Sequence, residues 1–133
     1  MKQLRCILLV DDDDADNYYH RRVIKKVGCA ERVVTASHGG EALEFLTTAV
    51  DGRYPEPELI FLDINMPRVD GWEFLERYDR LPAEQRGVHV IVMLTTSVNP
   101  DDRARAEARA VVQRFQTKPL TVAALTEIVD ELF

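Results

Sequence analysis

Cysteine is scarce: two residues, Cys6 and Cys29, in a chain of 133. They cannot frame a disulfide scaffold, and with no C-x-x-C and no neighbouring His they do not read as zinc ligands. Two reduced structural thiols are the simple reading. Long apolar runs are missing too. None approaches the roughly 20 residues that span a bilayer. The first apolar stretch, Cys6–Val10, runs into four aspartates rather than a cleavage site. Basic charge is in deficit, 17 Lys and Arg against 23 Asp and Glu, for a net charge of −6. That argues against a nucleic-acid clamp and against attraction to an anionic membrane, both of which need clustered cations. Three scattered His form neither a metal cluster nor a phosphohistidine helix. What remains is a soluble, cytoplasmic chain of single-domain length, 46 % apolar and 30 % charged, long enough to bury a core without a metal or disulfide staple.

Five short runs rich in β-branched residues and bounded by polar punctuation read as buried strands: 6–10, 32–36, 59–62, 88–94 and 111–116. Between them lie segments with helical period. Residues 16–27 place Tyr19, Val23, Ile24 and Val27 on one face; 40–49 place Ala42, Leu43, Phe45 and Leu46; 71–81 place Trp72, Phe74, Leu75 and Tyr78. Segment 101–110 is mostly charge and alanine, a solvated helix with mixed-sign pairs, and 122–133 carries Val122, Leu125, Ile128, Val129 and Leu132 in register. Asp70 ahead of Glu73, Asn99 ahead of Pro100, and Gly28 after Val27 supply helix starts and a stop. Alternating strands and helices predict an α/β doubly wound fold on a parallel sheet.

In such a sheet, ligands bind outside the carboxyl ends of the strands. The residues just after each strand are therefore the informative ones. They are Asp11–Asp14 after the first, Asp63 and Asn65 after the third, Thr95, Thr96 and Ser97 after the fourth, and Lys118-Pro119 after the fifth. Singly, each has a plainer reading: a solvated turn, a helix cap, a loop hydroxyl. Together they converge on one edge. Crowded carboxylates stay ionised only around a cation, and hard oxygen donors on an open site favour Mg²⁺, which shares its shell with phosphate. A carboxylate there can attack phosphorus while Lys118 and a Thr hydroxyl steady the equatorial oxygens. The chain has 13 Arg but only 4 Lys, and Lys118 is the one Lys beyond position 26, consistent with a need for a compact charge.

These residues resemble the receiver domain of two-component response regulators. Val10-Asp11-Asp12 resembles the family's acidic pair, and Asp63-Ile64-Asn65-Met66-Pro67 followed by Asp70-Gly71 resembles its phosphoacceptor segment. Leu94-Thr95 is similar to its switch threonine and Lys118-Pro119-Leu120 to its Lys-Pro, and the likeness covers essentially the whole chain. It implies a flavodoxin-like sheet of order 2-1-3-4-5 with five helices, spanning residues 1–133 as one receiver without an output domain. It further implies that Asp63 accepts a phosphoryl group from a sensor histidine kinase or phosphotransfer protein. Asp11, Asp12, Asp63 and the backbone carbonyl of Asn65 would hold Mg²⁺. Lys118 and Thr95 would stabilise the phosphoryl group, Thr95 and Phe115 would form the switch, and Lys118-Pro119 would be a cis peptide. Signalling would pass through an unidentified downstream protein, with the receiver a monomer or weak dimer and not itself an enzyme beyond its own phosphorylation and dephosphorylation.

Two departures stand out. The acidic run continues through Asp13 and Asp14, which leaves the register of the metal ligands open by one position, although distance from Val10 favours Asp11 and Asp12. Thr96 follows the switch threonine where the family often has a small residue, and would slow access of water to a phosphorylated site. Two other readings compete: a receiver-like binding module that needs no phosphorylation, and a small phosphatase using Asp12-Asp13-Asp14 as a D-x-D nucleophile. The second lacks room for a cap domain.

Overall fold

The computed structural model describes residues 2–86 and 90–133. Five strands, β1 (Leu4–Val10), β2 (Ala30–Ala36), β3 (Leu59–Leu62), β4 (Val90–Thr95) and β5 (Val112–Thr117), pair in parallel in the order β2-β1-β3-β4-β5. The helices are α1 (Asp14–Val27), α2 (Gly39–Thr47), α3 (Gly71–Asp79), α4 (Ala83–Arg86), α5 (Pro100–Glu107) and α6 (Val122–Leu132).

Alternation along the strands sorts side chains into two layers. Leu8, Val10, Ile60, Leu62, Ile91 and Met93 face α2 and α3, where Leu46, Phe74 and Leu75 complete a buried cluster. Their neighbours Ile7, Leu9, Leu59, Phe61, Val92 and Leu94 face α1 and α6, packing on Val23, Ile24, Leu125, Ile128 and Val129. Because both faces are covered, the central strands read as unbroken apolar runs. The chain leaves β1 for β2 on one side and returns to β3 on the other. This reversal opens a crevice at the carboxyl ends of β1 and β3.

Differences from the pattern-based expectation have local causes. Tyr19 does not enter the core; His20 and Asn17 are buried with Val23 and Ile24, while Tyr19 is exposed. Val122 likewise lies outside the stripe of α6. Helix α3 stops at Asp79, because Pro82 disfavours helical backbone in the residue before it, and the chain tightens into hydrogen bonds Arg80 N to Arg77 O and Leu81 N to Tyr78 O. Pro82 then accepts from Gln85 N and Arg86 N, starting the one-turn α4, a sixth helix the periodicity did not show. The expected strand start at Val88 lies outside the described residues.

Glycine matters most at the start of α3. The Gly71 N–H donates to Ile64 O at 2.8 Å, and a Cβ at this position would stand 2.5 Å from Asp63 O and 2.9 Å from Ile64 Cα. Those atoms are backbone and cannot step aside. Gly71→Ala is expected to destabilise the fold by about 2 kcal/mol in urea denaturation, since small-to-large changes at packed positions cost roughly 1–3 kcal/mol. Gly28→Ala, at φ 73° in open space, should cost only about 1 kcal/mol.

Candidate functional site

The acidic run after β1 folds back on itself. The ladder continues one residue past the strand, with Asp11 N donating to Ala36 O at 3.0 Å. Buried Asp11 then accepts Asp13 N on Oδ1 at 2.9 Å, and its carbonyl accepts Asn17 Nδ2 at 2.9 Å. Asp13 is the N-cap of α1, taking Ala15 N at 2.9 Å and Asp16 N at 3.2 Å. Its carboxylate is committed to the helix, and Asp14 is exposed in the first turn, so Asp11 and Asp12 are the members of the run that meet Asp63. Asp63 N donates to Val10 O at 3.0 Å and Asp63 Oδ1 accepts Ile64 N at 2.9 Å, which fixes the side chain over the crevice.

One carboxylate oxygen from each of Asp11, Asp12 and Asp63 lies within 4.8 Å of the others. Lys118, 8 % exposed, donates to Asp11 Oδ2 at 2.5 Å and to Asp16 Oδ2 at 2.8 Å, and stands 3.6 Å from Asp63 Oδ2. Its backbone N–H donates to Thr95 O at 2.8 Å, which ties β5 to the end of β4. The Lys118–Pro119 peptide is cis. Burial alone would lower the Lys118 ammonium, but hydrogen bonds to Asp11 and Asp16 and the charges of Asp63 and Asp11 outweigh it and hold it above an ordinary lysine. Asp63 is raised as well: burial raises its pKa, and nearby Asp11 adds to that, against the opposing pull of Lys118 and the Thr95 hydroxyl.

A divalent metal suits this donor set. Three carboxylates converge, two of them buried, and the single ammonium among them is also shared with a fourth acid, Asp16. Hard oxygen donors in an under-neutralised, partly open pocket match a small hard cation.

The other expected residues fall in different places. Thr95 is fully buried at the end of β4, its Oγ1 accepting Ser97 N at 3.2 Å. Asn65 and Thr96 are exposed on the loops after β3 and β4. Phe115 sits further back on β5, half-buried against the α2–α3 layer with the Arg103 guanidinium 5.6 Å from its ring centroid. Two residues have roles that the sequence did not show, Asp16 and His20, the latter one of the three scattered His. Asp16 reaches Lys118, and buried His20 accepts Leu120 N on Nε2 at 3.3 Å. Burial lowers the His20 pKa, Lys118 lowers it further, and Asp16 and Asp11 oppose, so the imidazole is neutral and serves as an acceptor. The available signal was a polar i, i+4 pair interrupting the apolar stripe of α1.

A sequence model of the response regulator receiver domain matches residues 7–130. The chain belongs to that family. This receiver is similar to the probable methanogenesis regulatory protein FilR2 of Methanothrix harundinacea (strain 6Ac), at 32 % identity over 95 % of this chain and 79 % of the relative. In three dimensions it resembles a two-component response regulator from Cytophaga hutchinsonii, with a TM-score of 0.84, 29 % identity and 98 % of each chain covered. It also resembles the Mn²⁺-bound form of the response regulator Rcp1, with a TM-score of 0.70 and 32 % identity over 96 % of this chain and 91 % of that one. Receivers are signalling proteins rather than catalytic enzymes, and they partner with histidine kinases. Among the described residues, no helix is long and apolar enough to cross a membrane.

Asp63→Asn leaves Lys118 with both hydrogen-bonded partners and removes a buried charge. It is expected to stabilise the metal-free protein by about 1 kcal/mol at neutral pH. A carboxyl whose folded pKa is raised costs stability above that pKa and nothing below the ordinary value of 3.8. The gain should therefore fade as pH falls through the raised pKa, a trend readable by urea denaturation of both proteins across a pH series.

Proposed function

We propose that this receiver accepts a phosphoryl group on Asp63 from the phosphohistidine of a sensor kinase or phosphotransfer protein, in a Mg²⁺-dependent reaction, and signals by altered protein binding. The observation that carries the reading is the buried Asp63 carboxylate, grouped with Asp11 and Asp12 and approached to 3.6 Å by the Lys118 ammonium. Asp63 Oδ1 is occupied by Ile64 N, which leaves Oδ2 as the nucleophile. Its attack forms an O–P bond as the N–P bond of the donor breaks, and the imidazole nitrogen departs with the electron pair and takes up a proton. Asp11, Asp12, Asp63 and the Asn65 carbonyl would hold the metal, whose contribution is to neutralise charge on the transferring phosphoryl oxygens. Lys118 offers an N–H to one of those oxygens and the Thr95 hydroxyl offers another. A metal-bound relative, the Mn²⁺ form of Rcp1, supports a divalent ion in this pocket.

Transmission follows from what holds α5. Only Ala106 of this helix is buried. Its first turn is tied to the loop after β4 by Ser97 Oγ donating to Asp102 Oδ2 at 2.6 Å, and arginines add Arg103 against the Phe115 ring, Arg105 at 4.3 Å from the Trp72 ring centroid, and, just beyond its end, Arg109 to Asp79 at 3.1 Å. Turning Thr95 toward a phosphoryl oxygen frees space at the end of β4, Phe115 moves into it, and the Arg103 contact is lost. A helix held by exposed cation–π and ion pairs, each worth about 1 kcal/mol or less, can be released by such a change.

Adding Mg²⁺ and beryllofluoride should change the fluorescence of Trp72, the single tryptophan, and shift backbone NMR signals of Asp63, Thr95, Phe115 and Lys118. Asp63→Asn should abolish both responses. A response confined to residues 11–14 would leave a metal site without a switch, and no response would favour a phosphorylation-independent binding module. Thr96→Ala opens the exposed side of the site, and loss of the phosphoryl group should speed up about threefold, under 1 kcal/mol of barrier; an unchanged rate discards this role for Thr96.

A further inference from the structure

We infer that Asp16 is a positioning residue for Lys118, holding its ammonium beside the nucleophilic oxygen of Asp63 but off it. The inference rests on the phosphoacceptor reading above and adds a residue outside both the acidic pair and the phosphoacceptor segment.

An ammonium has three N–H donors. Lys118 spends one on Asp11 and one on Asp16, while Asp63 Oδ2 at 3.6 Å is beyond hydrogen-bond reach. Of the two carboxylates it does bond, Asp11 belongs to the acid triad and Asp16 does not. Asp16 is the partner whose only evident task is the ammonium itself. It stands on a rigid support, the first turn of α1, capped by Asp13 and anchored by Val23 and Ile24.

The same helix grips the lysine segment a second time. One turn on from Asp16, His20 accepts the N–H of Leu120, two residues past Lys118. The ammonium end of Lys118 and the backbone that follows it are thus fastened to α1 at positions i and i+4. Such a double attachment fixes a geometry rather than merely neutralising a charge.

The chemistry needs that geometry. A carboxylate oxygen that accepts a hydrogen bond from an ammonium has its lone pair engaged and is a poorer nucleophile. An ammonium far away cannot meet the phosphoryl oxygens. At 3.6 Å Lys118 meets neither fault. Without Asp16, nothing holds the ammonium back from the under-compensated Asp63, and it closes the 3.6 Å gap and masks the attacking oxygen.

A double-mutant cycle tests this in the full chain. Initial rates of Asp63 phosphorylation by phosphoramidate with Mg²⁺ are measured for the wild type, Asp16→Asn, Lys118→Ala and the double variant. Asp16→Asn should slow the reaction about fivefold, the scale of a half-exposed ion pair, and Asp16→Glu should restore most of it. In the Lys118→Ala background Asp16→Asn should change nothing; a retained effect, or no effect in the wild-type background, overturns the proposal. Nitrogen-15 NMR of the Lys118 ammonium in the unphosphorylated protein provides a readout independent of phosphoryl chemistry. Wild type and Asp16→Glu should share a signal that Asp16→Asn shifts, and an unshifted signal also overturns it. A wild type that takes no phosphoryl group while its ammonium signal still responds to Asp16→Asn would sink the phosphoacceptor reading and spare the anchoring contact.

Discussion

Everything at the working edge of this protein depends on one buried ammonium. Lys118 hydrogen-bonds carboxylates that lie 107 and 102 residues away in the chain, and its place between them requires the whole sheet. Strand β1 must end at Val10 for Asp11 to turn inward, and β3 must end at Leu62 for Asp63 to face it. The backbone bond from Lys118 to Thr95 carries β5 to the same edge. Burying carboxylates without a partner costs several kcal/mol each, so the cation is a condition for the pocket as much as a participant in its chemistry. Local devices with no chemical role of their own then hold the geometry: the Asp13 cap, the Asn17 amide on the Asp11 carbonyl, the bare backbone of Gly71 against Asp63.

Strand positions were readable because burial on both faces leaves uninterrupted apolar runs, and each run ends where a chemically distinctive residue begins. That holds for Asp11 and Asp63; Lys118 ends the mixed, half-exposed β5 and stood out instead as the one Lys beyond position 26. Asp12 and Asp13 are adjacent and identical in type, yet one joins the acid triad and the other caps a helix. Only the backbone turn decides between them. His20 and Tyr19 show the same limit. A helical stripe drawn by hydropathy favours Tyr19, but the inward position is held by a histidine whose value lies in accepting one buried N–H. Polar residues that serve a backbone group carry no hydropathy signal, and neither does Asp16, whose partner is an ammonium 102 residues away in the chain.

Stability is unevenly spent across the two faces of the sheet. Helices α1 and α6 meet through a shared apolar layer that supports the acidic edge from behind, so the chemical machinery rests on a firm base. On the opposite face α5 contributes a single buried alanine, and polar contacts complete its attachment: the Ser97–Asp102 hydrogen bond, arginines on aromatic rings and the Arg109–Asp79 pair. Rigid support for a reacting group and loose attachment for a transmitting one are opposite demands. The parallel sheet satisfies both by keeping them on different layers joined through β4 and β5.

Phe115 and Thr95 occupy the seam between those layers. Thr95 pairs with Thr117 and Met93 with Phe115 across β4 and β5, so the aromatic lies one strand over and two residues back from the hydroxyl that borders Asp63. A displacement of under one side-chain diameter at Thr95 is enough to alter what the Phe115 ring can occupy. Because the ring also carries the Arg103 contact, the proposed switch would carry a charge placed on Asp63 to the surface through Thr95, Phe115 and one cation–π pair. On that proposal so short a path would need no rearrangement of the sheet: the buried strands that create the pocket would stay intact while the weakly held helix responds.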